Sequence, residues 1–557
     1  MQRLFVLLSL TLAWTTPSFA QQAMVAAANP LAAEAGLKVL RQGGSAVDAA
    51  VAIQATLGLV EPQSSGLGGG AFMTFYDART RTVTAYDGRE YAPAAATPDL
   101  FLKPDGKPMN FFGAVLSGRS AGVPGAIAML RLAQKEHGRL PWSRLFAGSE
   151  ALAGDGFIVT ARLANDINGR EPQAQTPDIS AYFTKPGGGR YGIGDRLRNP
   201  AYAATLRLIA AEGPNALLKG KVAADIVAKL AEAPAPGGMT VNDLAAYRPI
   251  EEKALCRPYH RLRVCEPPAP SGGVVTLEIL GLLAHTDIAS RGPTDPQAWY
   301  LLSQAERLAY ADDLHYVGDP AVVKVPTPGL LDPAYLAARA ALIGPRAGPA
   351  PEPGRPVGAP QPGPDATIEP GGTSSFTVVD RWGNVVSMTT TVESVFGDGR
   401  MVDGFMLNNE LTDFSFSPRD KTGAPAANAV GPRKRPRSSM APAIILDDKG
   451  AFVAAIGSPG GLAIPSYVAK AIVGFIDWRL SVQAAIDLPN LVALGDFYGA
   501  EPDKFAAGVV AGLAARGVVF NSSRGGEDSG LHGVMRKNGR LEGGADRRRE
   551  GVVLPCC

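Results

Sequence analysis

Hydrophobic residues along the chain recur with the period of a helix in some segments and alternate as in a strand in others. Between residues 29 and 58 the helical period occurs twice. Asn29 and Pro30 are typical of a helix start, a Gly-Gly pair interrupts the pattern, and Ser45 begins it again. We also expect helices wherever the same period returns, which is over residues 124–137, 200–232, 273–285, 294–313 and 463–477.

Strand patterns lie on both sides of these helical segments. The sequences AFMTFYD, FTVVDRWGNVVSM and PAIILDDKGAFVAAIGS contain short apolar or alternating runs, and turn residues bound each of them. No unit repeats at a fixed period along the chain. Strands near both ends with helices between them predict one α+β body in which sheets lie between layers of helices.

Two threonines are predicted to face each other in the hairpin that contains FTVVDRWGNVVSM. Its loop has glycine in the third position, as expected for a three-residue hairpin loop with a left-handed closing residue. With Trp382 at the centre of the loop, Val379 pairs with Val385 and Thr373 pairs with Thr391. The two hydroxyls would then lie within hydrogen-bonding distance, either as a stabilising cross-strand pair or as part of a reactive site.

The segment before the hairpin favours a reactive site. Residues 344–372 are rich in proline and glycine and show no pattern of core positions, so we expect a flexible linker. A Gly-Gly pair joins this linker to Thr373, and glycine permits backbone conformations that other residues avoid. Cleavage before Thr373 would give it a free α-amine, with a pKa of about 8, beside its hydroxyl. Such a threonine carries both a nucleophile and a general base.

The composition is that of an ordinary globular protein. The chain has 557 residues, of which 46% are apolar and 19% charged, and its net charge of +2 gives no bias toward nucleic acid or membrane surfaces. The densest basic run, Arg547-Arg548-Arg549, lies between Asp546 and Glu550. We interpret this run as a solvated face.

Residues 1–20 have the features of a secretory signal: a basic residue, a short apolar stretch and small residues before Ala20. The apolar stretch is too short to span a bilayer comfortably, and no later one is long enough. We therefore expect cleavage after Ala20 and export to the periplasm or beyond, without a stable membrane span.

The four cysteines suit an oxidising compartment. Cys256 and Cys265 lie on either side of a candidate strand-turn-strand, which could bring them close enough for a disulfide. His260 between them suggests a metal site, but three ligands are too few for structural zinc. No metal and no organic cofactor is predicted.

Two other motifs offer different functions. GRSAG at 118–122 matches a nucleophile elbow centred on Ser120, but Pro124 follows it closely and none of the five histidines is identifiable as the base. GLGGG at 66–70 leads into a strand and not into a helix, which argues against a phosphate site. A serine hydrolase at Ser120 and an uncleaved secreted binding protein remain the alternatives from other classes.

Several motifs together are specific for one family. They are GGSAVDAAVA, SSGLGGGAFM, DGREYAP, GVPGAIA, PPAPSGG, ERLAYADD, TSSFTVVDRWGNVVSMTTT, FMLNNELTDFS, GPRKRPRSSMAP and GSPGG. Through them, nearly the whole mature chain resembles the γ-glutamyltransferases, or glutathione hydrolases, of the N-terminal-nucleophile superfamily. The resemblance implies a four-layer αββα sandwich, made as a proenzyme that cleaves itself between Gly372 and Thr373. Residues 21–372 would form a large subunit and 373–557 a small catalytic subunit, both within one αββα body.

The resemblance also assigns the catalytic roles. Thr373 would be the nucleophile and Thr391 the second threonine that hydrogen-bonds it. Gly460 and Gly461 would supply the backbone N–H groups of an oxyanion hole, because glycine lets the main chain approach a developing oxyanion closely. Glutathione or another γ-glutamyl donor would form a threonine acyl-enzyme, and water, an amino acid or a peptide would accept the acyl group.

Five further residues would bind the amino-acid end of the substrate. Arg89 resembles the arginine that holds the α-carboxylate through paired hydrogen bonds, a task that lysine performs poorly. Ser438 and Ser439 would donate to the same carboxylate, while Glu410 and Asp413 would hold the α-ammonium group.

Two departures from the family pattern put the acyl group in doubt. Glu393 stands where the family usually has an asparagine, and its carboxylate could approach the substrate ammonium or the free amine of Thr373. The loop between Phe414 and Asn428 is shorter than in members with a lid tyrosine, and it contains no tyrosine. A more open site keeps the related β-lactam side-chain (glutaryl or cephalosporin) acylases as an alternative.

Overall fold

The computed structural model describes residues 23–233, 235–363, 365, 367, 369, 371–521 and 529–557. The predicted secretory signal at 1–20 lies outside these residues. Among the helices that are described, none combines the length and apolar character needed to cross a bilayer. The same residues contain no group of His, Cys, Asp or Glu side chains that could hold a metal ion.

Two antiparallel sheets form the centre of the molecule. In spatial order the first sheet contains Val552–Cys556, Ala23–Ala27, Ser374–Val379, Val385–Thr391, Gly70–Asp77, Thr82–Asp87 and Ile250–Lys253. The second contains Arg540–Ala545, His532–Lys537, Phe452–Gly457, Ala443–Leu446, Leu262–Glu266 and Leu255–Tyr259. Three short pairs lie outside them: Phe157–Ile158 with Arg196–Leu197, Met401–Val402 with Phe405–Met406, and Leu491–Leu494 with Phe497–Ala500.

The helices divide between the two sheets according to chain order. Those before the second sheet are Pro30–Arg41, Ala46–Val60, Phe111–Val115, Ala126–His137, Ala147–Asp155, Ala161–Ile167, Pro177–Tyr182, Pro200–Glu212, Asn215–Leu218, Gly220–Leu230 and Val241–Ala246. Those after its first two strands are Gly273–Leu283, Pro296–Tyr316, Thr327–Leu330, Pro333–Ala340, Ile464–Ile476, Val482–Asp487 and Val509–Ala515. Every segment predicted to be helical is helical, although 200–232 is broken into three helices.

Three hydrophobic cores separate four layers. One core joins helices such as Ala46–Val60 to the outer face of the first sheet, where Phe376 lies. Another joins Gly273–Leu283 and Ile464–Ile476 to the outer face of the second sheet. A third, which includes Val379, fills the space between the sheets. The predicted αββα sandwich is confirmed.

Small hydroxyl side chains join the sheets near the end where Thr373 lies. Thr377 Oγ1 donates to the carbonyl of His532 at 3.0 Å, and Ser387 Oγ donates to the carbonyl of Ile456 at 3.1 Å. Because these side chains are short, the backbones of the first and second sheets approach each other closely here. The strand Ser374–Val379 of the first sheet is therefore bonded directly to the second sheet.

The predicted disulfide joins Cys256 to Cys265, which are directly opposite in the antiparallel pair Leu255–Tyr259 and Leu262–Glu266. His260 Nε2 lies 2.9 Å from a carboxylate oxygen of Asp477. Cys556 is bonded to the adjacent Cys557, a pairing that we did not predict.

Candidate active site

The two predicted threonines lie side by side at the end of the central hairpin. Thr390 is opposite Ser374 and Val385 is opposite Val379, which is the predicted register. Thr373 Oγ1 donates to Thr391 Oγ1 at 3.1 Å. Thr391 Oγ1 also accepts the N–H of Glu393 at 2.7 Å, so its position is fixed by the backbone. The cross-strand pair is confirmed, and both side chains are buried.

The backbone on either side of the Gly372–Thr373 bond is unusually constrained. Thr373 has φ +79°, a left-handed conformation that is rare for a β-branched residue and costs on the order of 1–3 kcal/mol. Its N–H donates to the carbonyl of Ser64 at 3.1 Å. At Gly372 an added Cβ would lie 1.7 Å from the carbonyl oxygen of Glu393. The bond therefore requires glycine before it and carries strain after it.

The basic run near the C-terminus contributes to this site, and its interpretation as a solvated face was wrong for two of its three residues. Arg547 is exposed, with 79% of its side chain accessible. The side chain of Arg548 is only 8% exposed and forms ion pairs with Glu501 and Asp546, at 2.5 and 3.1 Å. Arg549 Nη1 donates to the carbonyl of Thr373 at 2.9 Å. The prediction failed because the run belongs to a turn that folds back onto the hairpin.

A small cavity opens beside Thr373. Its volume is ≈ 20 Å³, which is room for about one water molecule. The residues that line it are Glu369, Thr373, Thr391, Glu393, Glu410, Asp413, Ser438, Ser439, Met440, Gly461 and Ile464. Eight of the ten predicted catalytic and binding residues are in this set. Arg89 and Gly460 are not in the lining, although Gly460 directly precedes Gly461.

Glu369 of the linker lines this cavity, which the sequence did not predict. Its carboxylate accepts the hydroxyl of Ser439 at 2.5 Å and Nη2 of Arg437 at 3.2 Å. Only 9% of Glu369 is exposed. Asp365 in the same segment accepts Arg437 Nη1 at 2.9 Å. The expectation that the linker does not pack is therefore wrong at its C-terminal end, where carboxylates bind a buried arginine.

Arg89 is buried among acceptors of the protein itself. It donates to Glu410, to Asp413 at 2.6 Å, and to the carbonyls of Pro436 and Arg437 at 3.2 and 2.5 Å. One oxygen of each acidic partner, Glu410 Oε2 and Asp413 Oδ1, has no hydrogen-bond partner among the described residues. Both acids also line the cavity, so these oxygens suit an ammonium group.

Burial raises the pKa of two carboxyl groups that line the cavity. Burial, with a smaller contribution from Asp413, raises the pKa of Glu393 well above its ordinary value. Burial also raises the pKa of Asp413 to about 7, with Glu369 raising it further and Arg89 lowering it. Glu393 accepts the Ser394 hydroxyl at 2.5 Å and the side-chain amide of Asn409. A protonated Glu393 is neutral, as the family's usual asparagine is.

We expect the Glu393→Gln variant to lose a pH-dependent part of substrate binding. Because the pKa of Glu393 is raised, its carboxyl ionises only as the pH rises beyond the range of an exposed glutamate, and it then attracts an ammonium group. The KM of the wild-type enzyme for a γ-glutamyl anilide should therefore fall with rising pH relative to that for a glutaryl anilide, which has no ammonium group. Steady-state kinetics over roughly pH 5 to 8.5 measures this ratio.

In the Gln variant the ratio should change less with pH, since glutamine cannot ionise and the change that remains comes from Asp413, whose pKa is about 7. Parallel profiles for the two proteins would contradict a role for this ionisation. A charged Glu393 would also raise the pKa of the Thr373 amine, which is the effect expected from the sequence, but only at the higher pH values.

The glycines predicted to form the oxyanion hole precede a buried helix. Gly460 and Gly461 have φ +134° and +55°, and they connect the strand Phe452–Gly457 to the helix Ile464–Ile476. Only glycine takes both conformations easily. The N–H of Leu462, the next residue, donates to the carbonyl of Glu369 at 3.4 Å. The linker thus also contacts the loop predicted to hold the oxyanion.

Ser120 does not have the surroundings of a nucleophile. Its buried hydroxyl donates to the carbonyls of Val115 and Ser117, at 2.7 and 2.8 Å. The nearest following helix begins at Ala126, so no sharp strand-to-helix turn presents the hydroxyl. These contacts indicate a structural serine.

Comparisons with known proteins agree over almost the whole chain. The family model described as "Gamma-glutamyltranspeptidase" matches residues 32–556. The "Glutathione hydrolase proenzyme" of Bacillus subtilis (strain 168) is 37% identical over 547 residues, covering 95% of this chain and 91% of that protein. The "Acylase ACY 1 proenzyme" of Pseudomonas sp. (strain SE83) is 34% identical over 550 residues, covering 97% and 94%. The crystal structure of cephalosporin acylase from Bacillus halodurans has a TM-score of 0.83 at 27% identity, covering 98% of this chain and 99% of that one.

Proposed function

Because this chain belongs to the gamma-glutamyltranspeptidase family, we propose that it cleaves itself before Thr373 and then transfers γ-glutamyl groups to water or to amines. The observation that carries this proposal is the Thr373–Thr391 hydroxyl contact beside a constrained Gly372–Thr373 bond. The enzyme is an N-terminal-nucleophile hydrolase of this family. Glutathione is the natural candidate donor, as the name of the Bacillus subtilis relative suggests.

Self-cleavage would begin with addition of Thr373 Oγ1 to the carbonyl carbon of Gly372. The amide C–N bond then breaks, which leaves an ester on the threonine hydroxyl and a free α-amine on Thr373. Water hydrolyses the ester and gives a carboxylate on Gly372. Strain at Thr373 favours this reaction, because its φ is no longer constrained by a peptide bond after cleavage.

In turnover the α-amine of Thr373 would accept the proton of its own hydroxyl while Oγ1 attacks the γ-carbonyl of the donor. The N–H groups of Gly460 and Gly461 would stabilise the oxyanion. The proton passes to the leaving amine, and an ester between the γ-glutamyl group and Thr373 remains. Water or an acceptor amine then displaces the threonine and releases the product.

The charges around the cavity favour a γ-glutamyl group over the glutaryl group of the acylases. Glu393, Glu410 and Asp413 line the cavity together with Ser438 and Ser439. A γ-glutamyl group has an α-ammonium to satisfy the acids and an α-carboxylate to accept the hydroxyls. A glutaryl group lacks the ammonium and would leave Glu410 Oε2 and Asp413 Oδ1 without a hydrogen-bond partner.

The test compares γ-glutamyl and glutaryl anilides with the cleaved enzyme. We expect kcat/KM for the γ-glutamyl compound to be higher by on the order of tenfold or more, since only it offers a cation to the buried acids. Release of glutamate from glutathione should accompany it. A preference for the glutaryl anilide would support the acylase alternative, which the Acylase ACY 1 similarity keeps open.

Maturation would remove the signal segment and keep the two cleaved parts of the chain together. Residues 1–20 would be removed and the enzyme exported, with residues 21–372 and 373–557 staying together as large and small subunits. The pairing of Ala23–Ala27 with Ser374–Val379 supports this association, because one strand from each subunit lies side by side in the first sheet.

A further inference from the structure

We infer that Glu61 and Arg162 are positioning residues for the α-amine of Thr373, and that their opposite charges balance each other at this amine. Neither side chain lines the cavity beside Thr373. The inference rests on the proposed function, because the amine exists only after cleavage before Thr373. It concerns the general base of the reaction and not the binding of substrate.

The nitrogen of Thr373 is held by the loop that follows the helix Ala46–Val60. The N–H of Thr373 donates to the carbonyl of Ser64 at 3.1 Å, and the N–H of Val392 donates to the same oxygen at 3.1 Å. One carbonyl therefore joins the ends of both strands of the hairpin. After cleavage the nitrogen still has hydrogens to donate to this carbonyl, and the bond restricts rotation of the amine about its N–Cα bond.

Arg162 and Glu61 fix this loop through their side chains. Arg162 Nη2 donates to the Ser64 hydroxyl at 2.8 Å, and Arg162 Nη1 lies 3.5 Å from Glu61 Oε1. The other carboxylate oxygen of Glu61 accepts the hydroxyl of Ser374 at 2.8 Å. The ion pair thus contacts both the residue that holds the nitrogen of Thr373 and the residue that follows Thr373.

The two charges lie close enough to act on the amine. The side chain of Glu61 is 1% exposed and that of Arg162 is 20% exposed, so water and salt screen them incompletely. One residue stands between each charge and the nitrogen. A carboxylate at such a distance favours the ammonium form of an amine, and a guanidinium favours the neutral form. Together they largely cancel, whereas loss of one member leaves the other unbalanced.

Other charged groups near the amine stay the same when this pair is changed. Arg549 donates to the carbonyl of the same residue at 2.9 Å, and Glu550 accepts the N–H of Arg162 at 2.9 Å. Burial raises the pKa of Asp166, while Arg162 and Arg549 lower it. Burial lowers the pKa of His532 to about 4, so this side chain is neutral. The carboxyl groups that line the cavity are those of Glu369, Glu393, Glu410 and Asp413.

The pH dependence of the cleaved enzyme tests the inference. In Arg162→Met the carboxylate of Glu61 is unbalanced and the amine binds its proton more tightly. The acidic limb of kcat/KM should then move up by on the order of half a pH unit. In Glu61→Gln the limb should move down by a similar amount, and the double variant should return to the wild-type profile. A purely structural role would not produce shifts in opposite directions.

The same shifts should appear with γ-glutamyl and glutaryl anilides. A glutaryl group has no ammonium, so its reaction does not require Asp413 or Glu393 to ionise, and its acidic limb reports the amine. Arg170→Met is the matched control. It removes a positive charge from an exposed arginine shortly after the helix Ala161–Ile167, and its limb should coincide with that of the wild type.

The Ser64→Ala variant tests positioning without changing a charge. It removes the hydroxyl that Arg162 binds and keeps the carbonyl that accepts the N–H of Thr373. We expect kcat for the γ-glutamyl anilide to fall on the order of fivefold. KM should change little, because Ser64 does not line the cavity. An equal rise in KM with unchanged kcat would contradict a role at the amine.

The outcomes separate this inference from the proposed function. A wild-type enzyme that releases aniline from neither anilide would overturn the proposed function. An active wild type whose limb moves in neither single variant, or moves in the same direction in both, would overturn this inference alone. We expect the variants to divide, since the amine does not exist before cleavage. If Glu61→Gln does not divide, Arg162→Met decides alone, and failure of both to divide would overturn the inference in favour of a structural role.

Discussion

The Thr373→Ala chain is expected to remain a single full-length polypeptide, whereas the wild type divides into two fragments. Alanine has no Oγ1 to add to the Gly372 carbonyl, and the neighbouring hydroxyl of Thr391 belongs to the opposite strand of the hairpin. Activity on γ-glutamyl anilides should fall on the order of a thousandfold or more, since both maturation and turnover require the same nucleophile. Denaturing electrophoresis and N-terminal sequencing of the smaller fragment measure the first effect.

Thr373→Ser is the matched control for that variant. Serine keeps the hydroxyl and the α-amine, so this chain should still divide, and its smaller fragment should begin at the substituted residue. The methyl group of Thr373 is lost, which leaves the hydroxyl less restricted and should slow the reaction. Division of Thr373→Ala at the same bond would show that an external protease or another group cleaves the chain.

The hairpin could be predicted in detail because its signals are local. A glycine in the third loop position fixes the turn, and alternation of apolar residues fixes which side chains share a face. The register of Val379 with Val385 then places Thr373 beside Thr391 without further information. The helix starts at Asn29 and Ser45 were predictable for the same reason, since each cap bonds to a residue two or three positions away.

Contacts between distant segments could not be predicted in this way. The composition of residues 344–372 indicates a flexible linker, and nothing in it reveals that Glu369 meets an arginine 68 positions later. Arg549 lies 176 positions from Thr373, and only the folded chain brings its guanidinium to the Thr373 carbonyl. The strand Ala23–Ala27 was also missed, because its sequence AMVAA has no alternation to distinguish it.

The role of Arg89 shows a different limit of sequence reasoning. An arginine in this motif predicts that Arg89 holds the α-carboxylate of the substrate, and this role stays a prediction. The partners of its guanidinium, however, include the side chains of Glu410 and Asp413, which the motif analysis had assigned to another part of the substrate. The sequence shows that a side chain is an arginine and therefore carries a positive charge. The acceptors that bind its five N–H donors depend on three-dimensional packing.

The Gly372→Ala chain should divide much more slowly than the wild type, although it keeps the nucleophile. An alanine Cβ would lie 1.7 Å from the carbonyl oxygen of Glu393, a backbone atom that cannot move as a side-chain tip can. To relieve this overlap, the backbone at Gly372 must move, which changes the position of its carbonyl relative to Thr373 Oγ1. Displacement of an attacked carbon by about 1 Å can cost on the order of a hundredfold in rate. Electrophoresis of samples taken over time after purification measures the slower division.

Gly348→Ala provides the control, because an added Cβ there meets no atom within 4 Å and the residue lies in the same linker. This chain should divide at the wild-type rate. Gly372→Ala and Thr373→Ala should differ in one respect: prolonged incubation should slowly produce the normal small fragment from the first and none from the second. Rapid division of Gly372→Ala would mean that the chain reacts from a conformation in which Gly372 has moved away from Glu393, and the strain at Thr373 would then not explain the reactivity of this bond.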